Sequence, residues 1–337
     1  MIRVPIQEVQ EVLREVLEKL GMSRERAGLC ARLFAESSRD GVHSHGLGRF
    51  PRFVRGIRSG LVNVLATPEL VAARGPLERW SGRRGVGNLN AWQSMERAIT
   101  LARTHGLGCV AVAHTNHWMR GGAYGWQAAE AGMIAICWTN TMPNLPPWGS
   151  SAPLLGNNPL VIAVPRPQGH VVLDMAMSQF SYGGLESYRK RGELLPVDGG
   201  FDSQGRLTRD PGAIEASGRP LPIGYWKGSG LALMLDLLAG LLSGGQVTHE
   251  ITADPEQETD LSQVFIAIDL DLSSFGDKAG ANLADQVLSH LQSSLPQGVQ
   301  FRYPGQNVLK IRNESLAKGI AVEPTLWEEI KAIRQSA

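Results

Sequence analysis

Gly106-Leu107-Gly108-Cys109-Val110-Ala111 fits the letters G-x-G-x-x-A, the phosphate-binding turn of the doubly wound dinucleotide fold. That turn has to follow a strand and open a helix. Here the glycines stand after a helical pattern, Leu89, Trp92, Met95, Ile99 and Leu101, and lead into the apolar strand Cys109 to Ala113. Gly85-Val86-Gly87 lacks both a third glycine and a preceding strand. Helices and strands alternate from Gly85 onward, so the chain reads as α/β, but of a mixed, non-Rossmann kind.

Over the first ~60 residues the pattern is helical. Ile6, Val9, Leu13, Val16, Leu17 and Leu20 recur at helical spacing, and Gly21 supplies the stop. Ser23 is placed to cap a second helix carrying Ala27, Cys30, Leu33 and Phe34, and a third runs from Phe50 to about Ser59. Pro68 to Trp80 reads as extended, and Asn88 stands where it would cap the helix after Gly85. Further on, the pattern predicts a helix over Gly122 to Ala131 and a strand over Met133 to Trp138. A hairpin of Leu160–Val164 with His170–Asp174 follows. Residues 176–222, rich in glycine, proline and charge, read as an irregular or helical insertion, or a lid. Leu231 to Leu242 predicts a buried helix, Val264 to Leu270 a strand, and Asn282–Leu291 and Thr325–Ile333 the last helices.

A chain of 337 residues is long enough for roughly two domains. Lysine and arginine total 33 against 32 acidic residues, so no bulk field recruits nucleic acid or an anionic membrane, and the expected partner is a small molecule. Cys30, Cys109 and Cys137 are odd in number and lie mostly in apolar runs, which fits reduced core thiols in a cytoplasmic protein. Met1 to Pro5 has no apolar signal core. The Leu231–Leu242 run contains Asp236 and falls short of the ~20 residues that span a bilayer.

Val42-His43-Ser44-His45-Gly46-Leu47-Gly48-Arg49-Phe50 packs two imidazoles, a hydroxyl, a fixed cation and two glycines between helical patterns. Imidazole exchanges protons near neutral pH, and a guanidinium holds a carboxylate bidentately, so the loop suits acid-base chemistry on a carboxylate-bearing substrate. A second histidine-rich stretch, His114-Thr115-Asn116-His117, sits at the end of a strand, where α/β sheets place ligands. Each stretch is followed by an arginine, Arg49 or Arg120. His43, His45, His114 and His117 could instead build a zinc site of a hydrolase, although H-E-x-x-H is missing. Lys227-Gly228-Ser229-Gly230 sets a cation at a helix start, where an anion can bind; the bland reading makes Ser229 a cap and Lys227 a solvated charge. Asp198 and Asp202 could face the substrate or support groups that do, but acids are common in turns and the reading preferred for both is that of turn acids. Of Trp118, Trp126, Trp138, Trp148 and Trp226, several are expected to wall a pocket and the rest to be core.

These residues resemble the malate/L-lactate dehydrogenase type 2 family of NAD(P)-dependent oxidoreductases. The carrying motifs are Ser44-His45-Gly46 with Arg49-Phe50-Pro51, Thr115-Asn116-His117, Asn158-Pro159, Leu173-Asp174-Met175-Ala176, and Asp202 with Thr208-Arg209-Asp210-Pro211. The resemblance implies that His45 is the proton donor and that Ser44, Arg49 and His117 surround the substrate. It implies cofactor contacts at His170, Val171, Val172, Leu173, Asp174, Met175 and Ala176, at Trp226 and Lys227, and at Gly305, Gln306 and Asn307, with no metal. Gln306 and Asn307 are neutral where members often place an acid, and Asn157 stands where threonine is usual.

The implied reaction is reduction of an α-keto sugar acid by NADH, with NADPH as the alternative. 2,3-Diketo-L-gulonate is the expected substrate; malate, lactate, sulfolactate or a cyclic imino acid are the others. The implied organisation is a helical domain, residues 1–70 with about 300–337, and a largely antiparallel sheet domain, residues 71–300, flanked by helices. A homodimer with the site between domains is expected.

Overall fold

The computed structural model of the chain describes residues 1–270, 283–296 and 298–336. Its two ends are stitched together. Strand β1 (Ile2–Val4) runs antiparallel to a strand at Ile320–Val322, with Ile2 opposite Val322. Helix α1 (Ile6–Lys19) buries Val9, Leu13, Val16 and Leu17 on one face, as their spacing requires. Ser23 caps α2 (Arg24–Arg39), its hydroxyl accepting the Arg26 N–H. Helix α3 (Phe50–Arg58) adds Phe50, Phe53 and Val54, and the Phe34 and Phe50 rings meet edge to face at 5.3 Å. Trp327 and Ile330 enter the same core from the other end of the chain. Each such side chain contributes about 1.5–3 kcal/mol by burial.

The hairpin β2 (Glu69–Arg74) and β3 (Leu77–Ser81) occupies the stretch read as extended. Then follow α4 (Gly87–His105), β4 (Leu107–Thr115), α5 (Gly122–Glu130), β5 (Met133–Thr139), β6 (Leu160–Val164) and β7 (Val171–Met175). The stretch 176–222 is ordered: α6 (Tyr182–Arg191), the small hairpin β8 (Gly200–Phe201) with β9 (Leu207–Thr208), and α7 (Pro211–Ser217) gather around Leu185, Leu195 and Ile214. Beyond it lie α8 (Trp226–Ser243), β10 (Leu261–Asp269), α9 (Leu283–Ser293), α10 (Gln306–Lys318), β11 (Ile320–Val322) and α11 (Pro324–Ser336). Asn282, the expected start of α9, lies outside the described residues.

Seven strands form one mixed sheet in the order β2-β3-β4-β10-β5-β6-β7. Only β3 and β4 pair in parallel, and every other neighbouring pair is antiparallel. The late strand β10 slots between β4 and β5, which a doubly wound sheet does not do. Helices α4 and α5 cover one face, through Met95, Ile99, Tyr124 and Trp126 against Val110, Val112, Val161 and Phe265. Helix α8 covers the other with Ala232, Leu235 and Ala239 against Ala111, Trp138 and Val264.

Two local expectations are corrected. Helix α4 starts two residues earlier than a cap at Asn88 requires, with Val86 at its cap position. Asn88 is buried instead and bonds the Cys30 thiol. The Leu231–Leu242 helix forms, but it is not buried all round: Leu233, Met234, Leu237, Leu238 and Leu241 face outward, the last 69% exposed. The sheet can cover only one side of a helix that is apolar on both. All three cysteines are free and buried, and among the described residues no helix is long and apolar enough to cross a membrane.

Candidate active site

The stretch from His43 to Arg49 folds as two successive 3₁₀ turns, His43–His45 and Leu47–Arg49, joined at Gly46. Gly46 has to be glycine, because a Cβ there would lie 2.2 Å from Ser38 Oγ and 2.7 Å from its amide nitrogen. That closeness lets the Leu47 N–H donate to Ser38 Oγ at 2.8 Å, which pins the loop to α2. Ser44 Oγ lies 3.0 Å from His45 Nδ1 and orients the ring. Helix α6 reaches over this point: a Cβ on Gly183 would stand 3.2 Å from Ser44 Oγ.

The second stretch leaves β4 and turns back toward the first. Asn116 donates to the carbonyls of Arg84 and Gly85 at 2.8 and 2.9 Å, and Gln263 donates to the Asn116 carbonyl. Gly87 allows α4 to press on this turn, since a Cβ would come within 2.3 Å of the Asn116 and His117 carbonyls. The outcome is a stack of His45 on His117, with centroids 5.7 Å apart and planes 23° apart. The Met119 N–H donates to His117 Nδ1 at 3.0 Å, so the neutral His117 carries its proton on Nε2.

Crowding by protein atoms pulls the His45 imidazole down to about 4, and the charges of Arg49 and Arg120 add to the effect. His117 is held well below its ordinary value, first by burial and then by Arg49 and His45. Both rings keep a partly open edge, so they line a recess rather than a sealed core. Burial also lowers Arg49, to about 10, with Arg52 adding and Glu258 and Glu256 opposing. Among the described residues the nearest carboxylate oxygen to Arg49, on Glu258, is 3.7 Å away, too far for a hydrogen-bonded pair. Arg49 therefore retains an open guanidinium fork beside two neutral imidazoles. Such a recess attracts a carboxylate and can donate a proton to a neighbouring oxygen.

The sequence model of the malate/L-lactate dehydrogenase family matches residues 4–331. The chain belongs to that family. A 2,3-diketo-L-gulonate reductase from Citrobacter koseri is 44% identical over 98% of this chain and all of the relative. Among solved structures, sulfolactate dehydrogenase from Methanocaldococcus jannaschii superposes with a TM-score of 0.91 at 28% identity, covering 100% of this chain and 97% of its own. Delta1-piperideine-2-carboxylate reductase from Pseudomonas syringae pv. tomato gives 0.87 at 30%, covering 99% and 100%. Like the family, the protein is an oxidoreductase on a mixed α/β fold.

Within residues 170–176, the strand β7 (Val171–Met175) forms the far edge of the sheet, and two other named groups lie at its ends. At its start, the Val172 N–H donates to the Pro304 carbonyl, and a Cβ on Gly305 would sit 3.1 Å from Val172 N. Gln306 and Asn307 are not in a free turn; they open α10, with Gly305 at its cap in the left-handed region. At its end, the Ile223 N–H donates to the Met177 carbonyl, and Trp226 and Lys227 follow, both exposed. Ser229 is no cap: its hydroxyl accepts the Trp148 N–H. Asp174 accepts the Gly122 N–H at 2.8 Å, and burial raises its carboxyl against that bond and the Arg120 charge.

The zinc reading fails on geometry. His114 turns away toward Asp260, 3.6 Å from it, and among the described residues no group of three or more metal-ligating side chains is assembled. Asp202 closes the small hairpin by accepting from the Gln204 and Arg206 amides, the turn role its sequence suggests. Of the tryptophans, Trp118, Trp126 and Trp138 are buried, and Trp148 and Trp226 are exposed. Sequence reading missed Glu258, whose partners Arg49 and Met142 are far from it in the chain, and Asp40, whose neighbours in sequence hide its role.

Proposed function

We propose that the protein reduces the keto group of an α-keto sugar acid, with 2,3-diketo-L-gulonate converted to 3-dehydro-L-gulonate at the expense of NADH. The observation that carries this reading is the stacked His45–His117 pair beside the open fork of Arg49. In it, Arg49 grips the substrate carboxylate bidentately, which fixes the adjacent carbonyl against the imidazoles. Ser44 and His117 line the same recess, His117 as a neutral Nε2–H donor.

A nicotinamide dinucleotide, when bound, supplies the hydride. As negative charge grows on the carbonyl oxygen, His45 gives it a proton, a contribution typically worth about 10²–10⁴-fold. The carboxylate on Arg49 offsets one of the two charges that depress His45, so the substrate itself raises the acid toward its working range. The residues at the sheet edge fit such a cofactor: among the described residues the Ser178 hydroxyl just past β7 is buried and without a partner, as is the Trp126 indole N–H beside His170. His170 to Ala176, Trp226, Gly305, Gln306 and Asn307 would hold the dinucleotide. Lys227, which pairs with no carboxylate among the described residues, would meet a phosphate.

In this reading the helical domain is residues 1–70 with about 300–337, and residues 71–300 bind the cofactor. The outward apolar face of α8, next to Tyr225 and Trp226, supports a homodimer, and the free buried cysteines fit a cytoplasmic location. The test is to mix the protein with NADH, then NADPH, and 2,3-diketo-L-gulonate and to follow loss of reduced-nicotinamide absorbance. Rapid NADH oxidation is expected. No oxidation with this substrate or a panel of 2-keto acids and a cyclic imino acid, using either cofactor, would overturn the reading.

A further inference from the structure

Asp40 closes α2 three residues before His43, where the turn begins, and its side chain is 1% exposed. Three arginines from three segments converge on it. Arg39 reaches Oδ1 at 2.8 Å, Arg120 reaches Oδ2 at 2.6 Å, and Arg312 of α10 reaches both oxygens at 2.9 and 2.7 Å. Glu36 touches Arg39 at 3.3 Å and Glu130 lies 3.9 Å from Arg312, but Asp40 is the one carboxylate that Arg120 meets among the described residues. Arg120 is only 5% exposed, and its Nε has no partner among the described residues. Burial alone would raise the Asp40 carboxyl; the bonds from Arg312 and Arg39 and the charge of Arg120 outweigh it and keep Asp40 ionised.

The three segments are those that carry the proposed machinery. Asp40 leads into the His45 turn, Arg120 ends the His117 turn, and Arg312 lies on the helix opened by Gln306 and Asn307. We propose that Asp40 is a positioning residue: its carboxylate ties these segments into one frame and balances the Arg120 charge near His45. The idea rests on the reading of His45 as the acid. The charged groups around His45 are Arg49 on its own turn, with Arg52 and Glu258 behind it, and His117 and Arg120 from the facing turn. Without Asp40, Arg120 remains buried with no directly paired carboxylate among the described residues, Asp174 acting on it only through space, and more of its charge bears on the ring.

The test is an NMR titration of the His45 ring in the free protein, assigned with His45→Gln, which needs no activity. In Asp40→Asn the His45 midpoint should fall by about half a pH unit or more, and in Asp40→Glu it should stay near the parent value. Arg120→Gln, which leaves Asp40 with Arg39 and Arg312, should raise the midpoint by a similar amount and decides the matter if Asp40→Asn does not fold. In turnover, Asp40→Asn should lower kcat about tenfold or more and move the acid limb of its pH profile the same way, with Asp40→Glu largely restoring both. An unchanged His45 midpoint in both folded variants would overturn the proposal, even if the enzyme reduces keto acids. A shifted midpoint in a protein without keto-acid reduction would keep the electrostatic tie and remove only the assigned reaction.

Discussion

The two histidine-rich turns are alike in letters and opposite in what they do with their arginines. Both carry two imidazoles and end in a cation, yet Arg49 keeps its fork open at 3.7 Å from Glu258, while Arg120 is buried on Asp40 at 2.6 Å. Their histidines differ in the same sense. His45 has a hydroxyl on Nδ1 that can donate or accept, whereas His117 has an N–H there, which only the unprotonated nitrogen can accept. In the proposed reaction the first turn therefore exchanges charge and the second holds it fixed. Position in the packing, not residue type, assigns the roles.

The sharpest way to break that comparison is to replace each imidazole in turn. His45→Gln should cut kcat by about 10²–10⁴-fold and flatten the pH dependence, with NADH affinity nearly intact. His117→Gln should raise KM and preserve the shape of the pH profile. Steady-state kinetics from pH 5 to 8 would show it, and a profile flattened by His117→Gln but not by His45→Gln would exchange the two roles. Next in size is Arg49→Lys. A lysine keeps the charge but not the planar fork, so KM for the keto acid should rise about 10–100-fold with a smaller change in kcat; unchanged KM would remove the carboxylate grip.

The proton inventory gives a third expectation. With His45 depressed to about 4, only a small fraction of the free enzyme is protonated at neutral pH, so kcat/KM for reduction should rise about tenfold per unit as pH falls from 7 toward 5. The bound carboxylate lifts His45 in the complex, so kcat should hold to higher pH than kcat/KM. Flat kcat/KM over that range would mean that the proton comes from elsewhere.

How much of this could be read from the chain follows from how local each signal is. The amphipathic α1, the Ser23 cap and the β6–β7 hairpin depend on neighbours a few residues apart, and they form as their spacing implies. Ser44, His45 and Arg49 were legible as a cluster because one short turn carries them. Asn88 looks like a cap in the sequence because nothing local shows its partner, Cys30, 58 residues away. The exposed side of α8 was invisible because an all-round apolar helix has no periodicity to say which side the sheet leaves bare. The insertion of β10 between β4 and β5, and the convergence of Arg39, Arg120 and Arg312 on Asp40, are properties of topology alone.

The smallest expected effect sharpens the comparison most finely, because it concerns the single atom that separates the two rings. Ser44→Ala removes the hydroxyl 3.0 Å from His45 Nδ1 and leaves His117 and its Met119 bond untouched. A neutral hydrogen bond of this kind is worth about 0.5–1.5 kcal/mol, and the exposed hydroxyl puts it near the lower end because water can replace it. A drop in kcat of about two- to fivefold is the result, with KM for NADH unchanged. A loss as large as that of His45→Gln would show that Ser44 takes part in the proton transfer itself. No loss at all would show that ring stacking on His117, and not the hydroxyl, sets the direction in which His45 points.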